Sequence, residues 1–237
     1  RPLAMEPEER ADEATSAAAS AERPRRARLR EAIDQEDPEP IIAILEELAT
    51  PERRKRVHDV LSGRLGSVTV VMDAPHDPHN GAAVVRSCDA FGVCRLHVVE
   101  RHEPFSASGS VAKGTERWVD VVAHASAAGA VSHLRTQGFT LVGTHPAGEL
   151  TPRELGEVPH LALGMGNEHD GISEELAAAC RSRVRIPMRG FVESLNVSVS
   201  AAILLSYATA DRAGDLPELE RRRWYAWALA QSVPRAL

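Results

Sequence analysis

The chain has 237 residues, is 43% apolar and 26% charged, and carries a formal net charge of −6. That is the composition of an ordinary globular protein, long enough for one large domain with extensions. It contains no run of eighteen apolar residues that would span a membrane and no charged-then-apolar leader at its start. Cys88, Cys94 and Cys180 are too few and too scattered for a disulfide framework or a zinc site, so no metal is expected, and a reducing cytoplasmic setting is. Residues 1–50 hold 13 acidic and 7 basic residues, whereas residues 51–237 hold 21 of each. The acidity therefore belongs to the amino-terminal stretch, and local basic patches decide whether a polyanion can bind.

Taken in chain order, residues 1–40 read as a disordered acidic, Ala-rich tail without aromatic residues, in which residues 22–33 could be a transient charged helix. From Pro40 onward Ile41, Ile42, Leu45 and Leu48 recur at helical spacing. Thr50 and Pro51 then start a second helix over 51–61. Residues 41–66 thus form a helical extension. From residue 67 strands and helices alternate. Strands are expected at 67–72, 95–99, 119–122, 139–143, 161–165 and 184–186, and helices at 80–91, 126–136, 173–180 and 195–210. A polar, Gly- and Ser-containing loop fills 101–118. This alternation predicts an α/β domain over 67–212 with a largely parallel sheet. A basic, aromatic helix at 216–230 occupies the last segment, 213–237.

Three segments can carry chemistry. The first runs from His79 to Gly92. Asn80 is a candidate N-cap, and Arg86 lies six residues on, about 9 Å along a helix axis. Ala82, Ala83 and Ala90 surround Arg86 and leave room for a ligand or a second chain, while Val84, Val85, Cys88 and Phe91 form the core face. The alternative is a solvated Arg86 paired with Asp89 at i+3. The second segment, Leu161 to Ser173, is a buried strand running into Gly164, Gly166 and Gly171 with Asn167, Glu168, His169 and Asp170. The end of a parallel strand is where α/β folds bind ligands, and glycine lets a backbone approach one closely. An ordinary strand–helix turn remains the alternative. No phosphate loop with its lysine occurs. In the third, IPMRGFVESLNVSVSAA, polar Ser194 and Asn196 open an otherwise apolar helix.

Together these segments resemble the signature motifs of the SpoU/TrmH-type RNA 2′-O-ribose methyltransferases of the SPOUT superfamily, over about residues 50–230. The helix PERRKRVHDVL and the stretch LPELERRRWYAWAL look like the flanking helices of the TrmH subgroup, which methylates guanosine 18 in the tRNA D-loop. The resemblance implies a parallel α/β sheet with a carboxy-terminal trefoil knot, a homodimer with the first motif near the interface, and S-adenosylmethionine as methyl donor. It assigns cofactor contacts to Thr144, Gly166, Ile186 and Leu195, and the catalytic set to Asn80, Arg86, Glu168, Ser194 and Asn196. Family proposals make the arginine a base. A guanidinium resists deprotonation, so Arg86 serves equally as a phosphate clamp that stabilises a developing 2′-oxyanion.

RNA contacts are expected from Arg53, Arg54, Lys55 and Arg56 with Arg64, from Arg181, Arg183, Arg185 and Arg189, from Lys113 and Arg117, and from Arg221, Arg222 and Arg223 beside Trp224, Tyr225 and Trp227. Each cluster has a solvated helix face as its plain alternative, and the tryptophans could instead dock the last helix. The substrate expected is tRNA, with ribosomal RNA as runner-up. A non-catalytic RNA-binding protein on the same fold is the alternative of a different class.

Overall fold

The computed structural model describes residues 28–100, 105, 117–167 and 170–232. The chain divides into two compact units: residues through Leu61 together with those from Pro217 onward, and Ser62–Leu216.

The first unit is helical. Residues 28–35 form a helix, followed by α1 (Glu39–Leu48), α2 (Pro51–Ser62) and, from the far end of the chain, α7 (Glu218–Ser232). Ile33, Ile42, Leu45, Val57, Trp224, Tyr225 and Leu229 are buried. The Tyr225 hydroxyl donates to Glu46 Oε1 at 2.8 Å, and His58 stacks on the Tyr225 ring at 4.3 Å. Arg222 Nε donates to Glu39 Oε1 at 2.6 Å, and its Nη2 reaches Oε2. Two expectations change here. The stretch 1–40 is not tail throughout, because residues 28–35 are helical and Ile33 is fully buried. The Arg30–Asp34 pair at 2.9 Å and the Arg30 guanidinium, 4.5 Å from the Trp224 ring centroid, anchor this helix. Such a cation–π contact is a tertiary interaction that local composition cannot reveal. The two terminal extensions, read as separate segments, form one unit.

The second unit carries the parallel sheet. Its strands are β1 (Val68–Asp73), β2 (Arg95–Val99), β3 (Asp120–His124), β4 (Thr140–Thr144), β5 (Leu161–Met165) and β6 (Ser182–Val184). Their order is β3-β2-β1-β5-β4-β6, and all five pairings are parallel. Parallel neighbours need crossover connections: α3 (Pro78–Ala90) lies between β1 and β2, α4 (Ala127–Thr136) between β3 and β4, a 3-10 turn, Pro152–Glu157, between β4 and β5, and α5 (Glu174–Ala179) between β5 and β6, while α6 (Val197–Thr209) follows the last strand. Alternate strand residues feed two cores, as the period of two requires. Val68, Val70, Met72, Leu161, Leu163 and Met165 join residues of α3 and α6. Val71, Val99 and Ala162 join residues of α4 and α5.

The chain leaves β1 in one direction through β2 and β3, then returns to the other side through β4. β1 and β5 are adjacent at this reversal, with Met72 beside Met165. In such sheets the crevice beyond the carboxyl ends at the reversal is where ligands bind. The first motif follows β1 and the second follows β5. β6 lies two residues before its expected position, because Ser182 pairs with Val142 and the strand ends where Val184 bridges Leu150.

Candidate active site

Asp73 ends β1 as a buried carboxylate, the one charged residue of that strand. The next residue, Ala74, has φ +51°, a sparsely populated region for a residue with a side chain. Its amide donates to Val99 O at 3.0 Å. The turn that follows delivers Asp77 as the N-cap of α3, its Oδ1 accepting from the His79 amide at 2.8 Å, with Pro78 opening the helix. Asn80 is therefore not the cap. An Asp-Pro pair supplies both the capping oxygen and a preset φ, which leaves Asn80 in the first turn of the helix.

There Asn80 has a different partner. Its Oδ1 accepts from Asn196 Nδ2 at 3.0 Å. Asn196 is itself the N-cap of α6, and its Oδ1 accepts from the Ser198 amide at 2.8 Å and from the Ser198 hydroxyl at 2.7 Å. The first and third segments, 116 positions apart, are thus fastened at the starts of two packed helices. Arg86 projects from α3 as an exposed side chain. Its suggested partner is engaged elsewhere: Asp89 Oδ1 accepts from Arg64 Nη2, and Arg64 Nη1 also donates to Val93 O at 3.3 Å. Among the described residues no carboxylate pairs with Arg86.

The second segment closes on itself. The Asn167 amide donates to Gly171 O at 3.1 Å, the Gly171 amide returns to Asn167 O at 3.2 Å, and Asn167 Oδ1 accepts from the Asp170 amide at 2.7 Å. A Cβ on Gly166 would stand 2.1 Å from the Gly171 carbonyl carbon, so only glycine fits there. The exit of this turn is held by Asp73, whose Oδ2 accepts from the Ser173 amide at 2.8 Å, while Ser173 Oγ caps α5 through the Leu176 amide. One buried carboxylate therefore ties the end of β1 to the second segment. Sequence reasoning misses Asp73, although a lone acid closing a largely apolar strand is the available signal. Glu168 and His169 lie outside the described residues.

The expected cofactor contacts sit on the same edge of the sheet. Thr144 ends β4, Gly166 follows β5, Ile186 lies two residues beyond β6, and Leu195 precedes α6; all four are partly buried. Two depressions of about 210 and 500 Å³ lie between α4 and α5, lined by residues such as Val131, Arg135 and Ala179. Neither is lined by these four residues.

The family model described as the SpoU rRNA Methylase family matches residues 67–206. The chain belongs to this family. The tRNA (guanosine(18)-2′-O)-methyltransferase of Escherichia coli K12 is 35% identical over 183 residues, 73% of this chain and 80% of that protein. The Thermus thermophilus protein of the same name is 36% identical over 164 residues, 69% of this chain and 84% of its own. The crystal structure of the A. aeolicus TrmH/SpoU tRNA modifying enzyme matches with a TM-score of 0.70 at 28% identity, covering 81% of this chain and 100% of that one.

In this SpoU family member the remaining titratable groups narrow the chemistry. Burial pushes the Cys88 thiol up to about 12 and the Cys180 thiol up to about 11, so neither is a ready nucleophile. Among the described residues no group of three His, Cys, Asp or Glu side chains is placed to hold a metal.

The basic clusters differ in availability. Arg53, Lys55 and Arg56 are exposed on α2, with Arg54 partly buried and Lys55 paired to Asp59 at 2.7 Å. Arg181, Arg183, Arg185 and Arg189 are exposed around β6. In α7, Arg221 pairs with Glu218 and Arg222 with Glu39. Trp224, Tyr225 and Trp227 are buried, so they dock the helix and are not a stacking surface. Arg223 is partly buried there, and Lys113 lies outside the described residues.

Proposed function

We propose that this chain transfers the methyl group of S-adenosylmethionine to a ribose 2′-hydroxyl of tRNA, with guanosine 18 of the D-loop as the target. The observation that carries the reading is the Asn80–Asn196 hydrogen bond, which joins two of the three family segments beside an exposed Arg86. The relatives named for this reaction support the choice of substrate.

S-adenosylmethionine supplies a methyl group activated on a sulfonium. The edge formed by Thr144, Gly166, Ile186 and Leu195 suits it, with two apolar, partly buried side chains for an adenine and a closed glycine turn beside them. Arg86 works as a permanent cation. It holds a phosphate beside the target ribose and stabilises charge developing on the 2′-oxygen, whose proton passes to a phosphate oxygen or water. Asn80 and Asn196 fix the two helix starts around it, Ser194 orients the nucleotide, and Glu168 completes the polar set. Placement of the reacting atoms in line supplies much of the acceleration.

In this reading the crossover from β6 to α6 forms the trefoil knot. A homodimer assembles through the exposed Val199 and Tyr207 of α6 and the small residues around Arg86, and the protein works in the cytoplasm. Arg53 to Arg56 and Arg181 to Arg189 contact the RNA backbone. Ribosomal RNA is the second substrate reading. It is favoured by the 23S rRNA (guanosine-2′-O-)-methyltransferase of Vibrio vulnificus, 36% identical over 158 residues, 65% of this chain and 63% of that protein.

The test uses labelled S-adenosylmethionine with unmodified tRNA and, separately, unmodified ribosomal RNA, with Arg86→Ala as control. Ribose-methylated guanosine from tRNA, absent with the variant, is the expected result. Label in ribosomal RNA alone overturns the substrate, and failure to bind the cofactor overturns the reaction.

A further inference from the structure

The chain has four phenylalanines. Phe91 and Phe105 pack against one core and Phe139 against the other. Phe191 joins neither and is fully exposed. Leaving a phenyl ring in water forfeits the stabilisation that burial would give, so its position calls for a partner outside the described fold. Its neighbours share that exposure: Val192 at 61% and Met188 at 36%.

These residues lie on the connection between β6 and α6. Among the described residues, 186–193 make no backbone–backbone hydrogen bond, and Gly190 has open space around it. The connection can therefore adjust to a ligand. Phe191 precedes Asn196 by five residues, so its backbone stays within at most about 18 Å of the Asn80–Asn196 junction. Two exposed arginines, Arg185 and Arg189, precede it on the same stretch, Arg185 Nη1 donating to Gly148 O at 3.0 Å, and the exposed Glu193 follows it. An exposed aromatic face on a stretch that also carries cations is the combination that grips an unpaired nucleotide, the ring taking the base and the cations the backbone. Single-stranded RNA presents bases splayed out for such stacking.

We propose that Phe191 is the platform on which the base of the methylated nucleotide stacks, a specificity-determining residue of the reaction. The proposal rests on the RNA methyl-transfer reading above. Stacking holds the base while Arg86 holds the phosphate, so the ribose between them is fixed from both sides.

The experiment compares the wild-type chain with Phe191→Ala and Phe191→Trp. It measures methyl transfer to the tRNA transcript, S-adenosylmethionine affinity by calorimetry, and particle mass by light scattering. A second substrate carries an abasic nucleotide, ribose retained, at the mapped methylation position. Phe191→Ala is expected to lower kcat/KM by about 5- to 150-fold on normal tRNA, with cofactor affinity and mass unchanged. Phe191→Trp is expected to restore most of that loss. On the abasic substrate wild type and Phe191→Ala are expected to be equal, because no base remains to stack. An unchanged kcat/KM, or an equal loss on both substrates, overturns the proposal. Loss of cofactor affinity would make Phe191 a cover for the cofactor, and a halved mass would make it a subunit contact; either overturns base stacking. A wild-type chain that methylates no RNA overturns the underlying reading itself, which the variant comparison alone cannot mimic.

Discussion

The side-chain amide of Asn196 donates to the side-chain oxygen of Asn80 at 3.0 Å, while the other end of the same Asn196 amide group caps α6. One residue thus does two separable jobs. Asn196→Asp keeps the capping oxygen but removes the donor to Asn80. Its unfolding free energy is expected to match the wild type within about 0.5 kcal/mol, because Asp and Asn cap equally well. Asn196→Ala is expected to lose about 1 kcal/mol. Both variants are expected to lose methyl transfer at least tenfold. Denaturant unfolding alongside single-turnover assays checks this, and a fully active Asn196→Asp would remove the junction from the mechanism.

Arg64 and Arg86 have opposite burdens although both adjoin Asp89 in sequence or space. The Arg64 side chain is only 7% exposed and relies on Asp89 for its charge. Asp89→Ala strands that cation, and a loss of about 2–4 kcal/mol is expected. Arg86→Ala removes an exposed group and is expected to change stability by no more than about 0.5 kcal/mol, yet to cut methyl transfer by about 100-fold or more. Thermal unfolding and activity measured on the same preparations separate the two.

Gly166 and Gly171 face each other across the second turn, and their alanine variants should behave differently. Gly171 has φ +69° but nothing within 4 Å of its absent Cβ, so Gly171→Ala is expected to cost about 1 kcal/mol of backbone strain. Gly166→Ala drives a methyl into the Gly171 carbonyl carbon. The turn must open, and calorimetry is expected to show cofactor binding lost. Normal binding by Gly166→Ala would mean that this turn does not support the cofactor.

His97 gives the fold a mild-acid weakness. It is buried on β2, its Nδ1 is 2.9 Å from His124 Nε2, and the His133 ring lies 5.3 Å away. Burial, then the charges of His124, His133 and Arg95, hold its pKa down to about 3. An unfolded histidine titrates near 6.5, so the unfolded state takes up the proton first. Stability is therefore expected to fall as pH drops below about 6.5, by about 1.4 kcal/mol per pH unit from His97. His124, also lowered by burial and His133, adds to the slope. Urea titrations at pH 7.5, 6.5, 5.5 and 5.0 measure it, and His97→Leu is expected to flatten it in this window.

The strand–helix alternation is legible because apolar runs such as Leu161–Met165 are bounded by turn residues, and that strand spans the expected residues. Arg95–Val99 does so as well. What local sequence hides depends on distant partners or on competition between neighbours. Asn80 looks like a cap, but Asp77 and Pro78 lie three and two positions earlier and win. Asp89 looks available to Arg86 until Arg64 arrives from before β1. The 3-10 turn is missed despite a local signal, Thr151-Pro-Arg-Glu154, in which the Thr151 amide donates to Glu154 Oε2 at 2.6 Å. The Asn80–Asn196 contact is invisible in either segment alone, since both residues read simply as helix starts.

The helical unit built from both ends of the chain sets a timetable for synthesis. Arg30 needs the ring of Trp224, and Glu46 needs the hydroxyl of Tyr225. These partners are 194 and 179 positions apart, so on a ribosome making about 5–20 residues per second the wait is about ten to forty seconds. During that interval Ile33, Ile42 and Val57 have no α7 to cover them, while the parallel sheet can already assemble. The helices of residues 28–62 are thus made before the sheet and completed after it, and a chain cut short before Trp224 would leave them unfinished.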